Sequence, residues 1–209
     1  MIMDKIKLNF INKSNDANNN NVIIFQQNVA QEFEKSAIAW KVIENSSRLD
    51  NHPFAFSMGY EVATCDSYGN FTPMLYTYEG TAYEMVKDNA GSVLRVASKP
   101  ATNLSQIEVK NALPSGIINA NCYRNNRLIA TKTNLAPGEK AVFEFYPRLF
   151  IGVVPEIEEG DVLDSAIISQ INSQINLFGI TSADIVMTGG GPGNHSPAFN
   201  FSLENINKQ

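Results

Sequence analysis

The sequence predicts an all-β fold, an antiparallel β-sandwich of jelly-roll or immunoglobulin-like kind, built from two sheets with room for one short helix. Three observations carry this expectation. Apolar residues alternate with polar ones in short runs, turn chemistry separates those runs every 8 to 12 residues or so, and no amphipathic helix of about ten or more residues alternates with the strands. A chain of 209 residues, 44% of them hydrophobic, buries a sizeable core. We expect one sandwich domain over residues 1–209, with Pro100 to Asn103 as the alternative boundary between small β domains at 1–100 and 101–209.

The first strand is expected at Lys5 to Asn12, where Ile6, Leu8 and Phe10 alternate with Lys5, Lys7 and Asn9. Asn15 to Asn21 reads as a polar loop, Val22 to Phe25 as a strand, Val29 to Ala37 as a short helix with Phe33 and Ala37 four apart, and Ala37 to Ile43 as a strand holding the only tryptophan, Trp40. Asp66-Ser67-Tyr68-Gly69-Asn70 is a tight turn, and Asn89-Ala90-Gly91 and Ala136-Pro137-Gly138-Glu139 are turns between β-rich runs. Ile107 to Lys110, Ile117 to Tyr123, Leu128 to Lys132, Ala141 to Tyr146 and Leu149 to Val154 read as strands. Arg124-Asn125-Asn126-Arg127 is the hairpin connection between the second and third of them.

Ser165 to Phe178 carries two periods at once. Ile167, Ile171 and Ile175 lie four apart, as on a helix, while Gln170, Asn172, Gln174 and Asn176 alternate as on a strand; the β-branched, Ser and Asn content favours strand. Ala183 to Thr188 is a further strand, Gly189 to Pro197 an irregular loop, and Ala198 to Leu203 a last strand with Phe199, Phe201 and Leu203 on one face.

Composition excludes several functions. Sixteen Lys plus Arg against 21 Asp plus Glu give a net charge of -5 with no basic run, which argues against a nucleic-acid partner, since that affinity rests on clustered cations. No window has the roughly 18 apolar residues of a membrane helix. The N-terminus lacks the apolar stretch of a secretory leader, so synthesis in the cytoplasm is expected, with lysis or a leaderless route as the ways out. Charged residues are only 18% of the chain while asparagine supplies 25, so solubility rests on amides and hydroxyls, and copies repel one another weakly.

Candidate chemistry is sparse. His52 and His195 sit in turn-like settings about 140 residues apart with no acidic neighbour, so no metal ligand set is expected. Cys65 and Cys122 fall in strands and read as small core residues rather than nucleophiles. The Gly189 to Gly193 run lacks the Lys-Ser or Lys-Thr and helix of a phosphate loop. The acidic turns around Gly69 and Gly160 do not match a calcium loop and are expected to be solvated. No catalytic residue and no cofactor are expected.

The leading expectation is a non-enzymatic, self-assembling structural subunit whose partner is another copy of itself, forming an oligomer, filament or particle. Ile6, Leu8 and Phe10 in the first strand and Phe199, Phe201 and Leu203 in the last are the candidate assembly positions, because a terminal strand completes a neighbour's sheet by pairing at its edge. Ser165 to Phe178 reads as an edge or interface strand whose amides pair with another copy; the alternative is a binding module for a glycan or membrane surface, toxin-like and pore-forming, with Tyr76 and Tyr78 as its binding face and Ser165 to Phe178 as a membrane-inserting amphipathic strand. A metal-dependent enzyme on the sandwich is the second alternative.

Overall fold

The structure is a computed structural model and describes residues 5–16, 20–30, 37–89, 91–171, 173–193 and 195–209. It shows an all-β, sandwich-like chain. The strands are β1 (Lys5–Asn12), β2 (Asn21–Phe25), β3 (Ala37–Ile38), β4 (Lys41–Ile43), β5 (Asn51–Ser57), β6 (Tyr60–Asp66), β7 (Leu75–Thr77), β8 (Ala82–Asp88) and β9 (Gly91–Val96). They continue with β10 (Ile107–Asn111), β11 (Ile118–Arg124), β12 (Arg127–Leu135), β13 (Lys140–Phe143), β14 (Arg148–Val154) and β15 (Val162–Leu163). The helix α1 (Ser165–Gln170), the only one among the described residues, precedes β16 (Ser173–Asn176), β17 (Ile180–Thr188) and β18 (Asn200–Lys208). The helix expected at Val29 to Ala37 falls mostly on residues 31–36, outside the described residues.

The chain divides into two compact units. Unit 1 takes the described residues of Met1–Gln27, Lys35–Met58 and Pro147–Gln209, and unit 2 those of Asn28–Glu34 and Gly59–Tyr146. Pro100 to Asn103 lies inside unit 2.

Unit 1 has two four-stranded sheets, ordered β18-β17-β1-β5 and β16-β14-β2-β4, with β3 and β15 forming a small third ladder. The alternation in β1 does what the sequence implies: Ile6, Leu8 and Phe10 are buried at 5%, 2% and 0% exposure while Lys5 and Lys7 face solvent. Trp40, just before β4, meets β5 edge-on, with ring centroids 6.1 Å from Phe54 and 5.7 Å from Phe56. Edge-to-face aromatic pairs add roughly 0.5–1.5 kcal/mol each to simple burial, so Trp40 pins the two sheets together at this edge.

Two local expectations are corrected. Ala37 to Ile43 is not one strand, because β3 pairs with β15 and β4 with β2, while Ala39 and Trp40 between them turn inward. Ser165 to Phe178 begins as a helix: the Asp164 carboxylate caps it by accepting from the Ile167 amide at 2.8 Å, and Ile168 and Ile171 pack on Ile23, Phe25 and Leu163. The cap and the core contacts outweigh the strand propensity that favoured the other reading. Only Ser173–Asn176 is strand, paired to β14, so the continuous ten-residue amphipathic strand of a pore-forming hairpin is absent there.

Unit 2 repeats the plan, with sheets ordered β13-β10-β8-β9 and β12-β11-β6-β7. Tyr60 stacks on Phe145 at 5.6 Å, the Thr64 hydroxyl meets the Met85 sulfur at 3.3 Å, and the Tyr83 hydroxyl donates to the Tyr76 carbonyl at 2.9 Å, so side chains tie one sheet to the other. Asn125 and Asn126, at φ 54° and 60°, make the tight turn between β11 and β12, the left-handed pair that a two-residue hairpin needs.

The ladders are not purely antiparallel. β1 runs parallel to β17 in unit 1, and β8 parallel to β10 in unit 2. Side-chain alternation is the same for either direction, so the sequence pattern does not distinguish them.

Candidate functional site

Each sheet presents two outer strands, and most are unsuited to pairing with another chain. β4, β7, β13 and β16 have only three or four residues, and β5 carries Pro53. β12 is bulged at Asn134, where φ is 58° and the register slips; the free Asn134 amide donates to the Asn119 carboxamide oxygen at 3.0 Å. β9 is regular but carries Arg95. β18, nine residues long like β12, is regular from Asn200 to Glu204 and holds no charge, proline or bulge between Asn200 and Leu203.

The C-terminal half of β18 is different. Asn205 sits at φ 49° where the pairing slips from Asp184↔Glu204 to Ser182↔Asn207. Its amide donates to Asp184 Oδ2 at 2.6 Å, while Asn9 donates to Asp184 Oδ1 and to Asn51 Oδ1, each at 3.2 Å. An amide chain centred on Asp184 thus crosses all four strands of this sheet and fixes its register.

The structure separates the two groups of candidate assembly residues. β1 is central, hydrogen-bonded to β17 on one side and β5 on the other, and Ile6, Leu8 and Phe10 are spent in the core of their own unit. Phe201 and Leu203 are half-buried on β18, the outer strand. Phe199 and Phe201 line a cavity of about 220 Å³ with Ile171 and β14. The Gly189 to Pro197 loop folds back on unit 1: the Gly190 amide donates to the Pro197 carbonyl at 2.8 Å, and the Phe199 ring fills the space a Cβ on Gly190 would need.

In unit 2 a cavity of about 500 Å³ opens beside β7 and β9. Phe71, Thr72, Pro73 and Leu75 form one wall, Ser92, Val93 and Leu94 of β9 the other, and Met85 the base. The Asp66 to Asn70 turn stands at its mouth. Asp66 Oδ1 accepts from the Tyr68 and Asn70 amides and Oδ2 from the Asn70 side chain, all at 2.9 Å. Those bonds, the Asn70 side chain first, hold the Asp66 carboxyl below its ordinary pKa. The turn presents Tyr68 and Phe71 at 89% and 64% exposure. Tyr76 and Tyr78 are also exposed, but Tyr76 points to the opposite face of β7 from Leu75 and neither lines the cavity. The tight turn was readable as Asp-x-x-Gly-Asn; its place at the mouth of a cavity depends on how the two sheets pack.

The other candidate residues are dispersed over both units. Burial, opposed by the Arg124 charge, pushes the Cys122 thiol far up, and burial with nearby Asp66 raises Cys65. The β6–β11 register pairs Cys65 with Asn119 and Cys122 with Val62, so the two thiols point to opposite faces and both are free. Arg124 is 2% exposed, its guanidinium carbon 4.3 Å from the Tyr60 ring centroid. Burial raises the neighbouring Glu61 carboxyl, against the pull of the Asn126 amide and Arg124. His52 lies in β5 rather than in a turn, its Nε2 3.0 Å from the Ser46 hydroxyl, and His195 is exposed. The Asp161 and Glu159 carboxylates accept from the Glu158 and Val42 amides. Among the described residues no three His, Cys, Asp or Glu side chains are placed to share a metal ion, and no helix is long and apolar enough to cross a membrane.

No protein family, curated protein or solved structure matches the chain.

Proposed function

We propose that this is a non-enzymatic, self-associating β-sandwich protein whose copies join edge to edge through β18. The observation that carries the reading is the five-residue stretch Asn200–Glu204: it is regularly paired to β17 on its inner side, and among the described residues no further strand pairs with its outer side. Outward backbone groups of such an edge are donors and acceptors for another strand. Two copies related by a twofold axis align these segments antiparallel, each contributing the same patch. The bulge at Asn205 interrupts the edge and so confines new pairing to the stretch before it. The low charge of the chain supports the same reading, because little repulsion opposes contact between copies.

Amide hydrogen exchange at low and high protein concentration tests this. Protection of amides in Asn200–Leu203 should rise with concentration, while those of central β1 stay unchanged. Concentration-independent exchange across Asn200–Leu203 would remove the support for this edge.

A further inference from the structure

We infer that the cavity between the Phe71–Leu75 wall and β9 in unit 2 is a binding site for a neutral saccharide. The inference is independent of association through β18, which lies in unit 1.

Size comes first: about 500 Å³ lies within the range of small-ligand sites, and one to two sugar rings fit it. The second argument is the placement of aromatic surface. A turn whose Asp66 carboxylate bonds are all internal precedes Phe71, which lines the cavity at 64% exposure. An exposed ring face is the surface on which the apolar C–H face of a sugar stacks. Hydrogen-bonding groups complete the pattern. The Asn70 and Ser92 side chains, both exposed, line the cavity, and a sugar hydroxyl can donate to the Asn70 carboxamide oxygen and pair either way with the Ser92 hydroxyl.

Charge narrows the class. No Lys, Arg or His lines the cavity, and Asp66 at its mouth is held ionised. A phosphate, sulfate or carboxylate group would meet a negative charge with nothing to balance it, so acidic glycans and fatty acids are disfavoured. Asn70 and Ser92 offer hydrogen bonds that a wholly apolar ligand does not use, so a neutral polyol with one apolar face matches the lining best.

The test is saturation-transfer NMR on the full chain with a panel of neutral mono- and disaccharides, then an array of neutral and acidic oligosaccharides. At least one neutral saccharide should bind, Phe71→Ala should weaken it about tenfold, Phe71→Trp should retain it, and Ser92→Ala should weaken it several-fold. Phe71 is exposed, so Phe71→Ala should melt at the parent temperature, which separates loss of binding from loss of fold. Absence of transfer to every neutral sugar, binding unmoved by Phe71→Ala, or preference for acidic glycans would overturn the assignment.

Discussion

Asn134 and Asn205 hold the same left-handed conformation at the same kind of place, φ 58° and 49°, each in an outer strand of a four-stranded sheet at the step where its pairing slips. One belongs to each unit. Asparagine tolerates this backbone better than other non-glycine residues, and a bulge turns the strand edge away from further pairing. Both units thus block part of an edge, and the half of β18 before Asn205 is left open.

Replacing Asn134 tests the strain argument. Asn134→Val places a branched side chain in the left-handed region and should lower the urea unfolding free energy by about 1–2 kcal/mol, whereas Asn134→Gly should stay within about 0.5 kcal/mol of the parent. Equal losses for both would show that side-chain contacts, not backbone conformation, select asparagine.

Stability should depend on pH through Glu108. Burial pushes its carboxyl up, but the Lys140 ammonium at 2.7 Å and the Thr102 groups pull it below the ordinary value of 4.5. A group lowered in the folded state contributes stability above its unfolded pKa and loses it as pH falls through the folded one. Glu108→Gln should therefore cost about 1 kcal/mol at neutral pH, a modest figure because Lys140 is half exposed, and the difference from the parent should close below pH 4.5. Chemical denaturation across a pH series reads it directly.

Neither cysteine should react in the folded protein. Cys122 is fully buried and Cys65 is 7% exposed, both with thiols raised above their ordinary range, so an alkylating reagent at neutral pH should label none until urea is added and then two. Rapid native labelling of either one would return a nucleophilic role to consideration.

The glycine loop should be more sensitive at its Gly190 end than at Gly193. A Cβ on Gly190 would collide with the Phe199 ring, and Gly193 faces open space, although both have positive φ. Gly190→Ala should lower stability by about 1–3 kcal/mol more than Gly193→Ala, read as a difference in melting temperature.

The strands and most turns were legible because alternation in β1, β11 and β14 and the Gly, Pro and Asn turns report local geometry directly. The helix α1 was not, since Ile167 to Ile175 satisfies both periods and the decision came from the Asp164 cap and packing on Phe25. Parallel pairing of β1 with β17 and the division into two units join residues far apart in sequence, which no local pattern encodes. For the same reason the sequence pattern presents β1 as a terminal strand able to complete a neighbour's sheet, whereas its position between β17 and β5 makes its removal a loss of core. The aromatic character of the Tyr68 to Tyr78 segment was visible; which of its rings faces a cavity was decided by the Asp66 to Asn70 turn and the packing of β9.

Light scattering across a concentration series, on the parent chain and on proline variants at positions 201 and 202, tests association through β18 most directly. Successive residues of an antiparallel strand direct their amides to opposite sides, so one of the two prolines removes an outward amide and leaves pairing to β17 intact. The parent should move from 23.0 kDa toward twice that mass, and the proline variant that keeps the parent's circular dichroism should stay at 23.0 kDa. A parent that remains at 23.0 kDa at every concentration, or a folded proline variant at each position that still associates, would contradict the account.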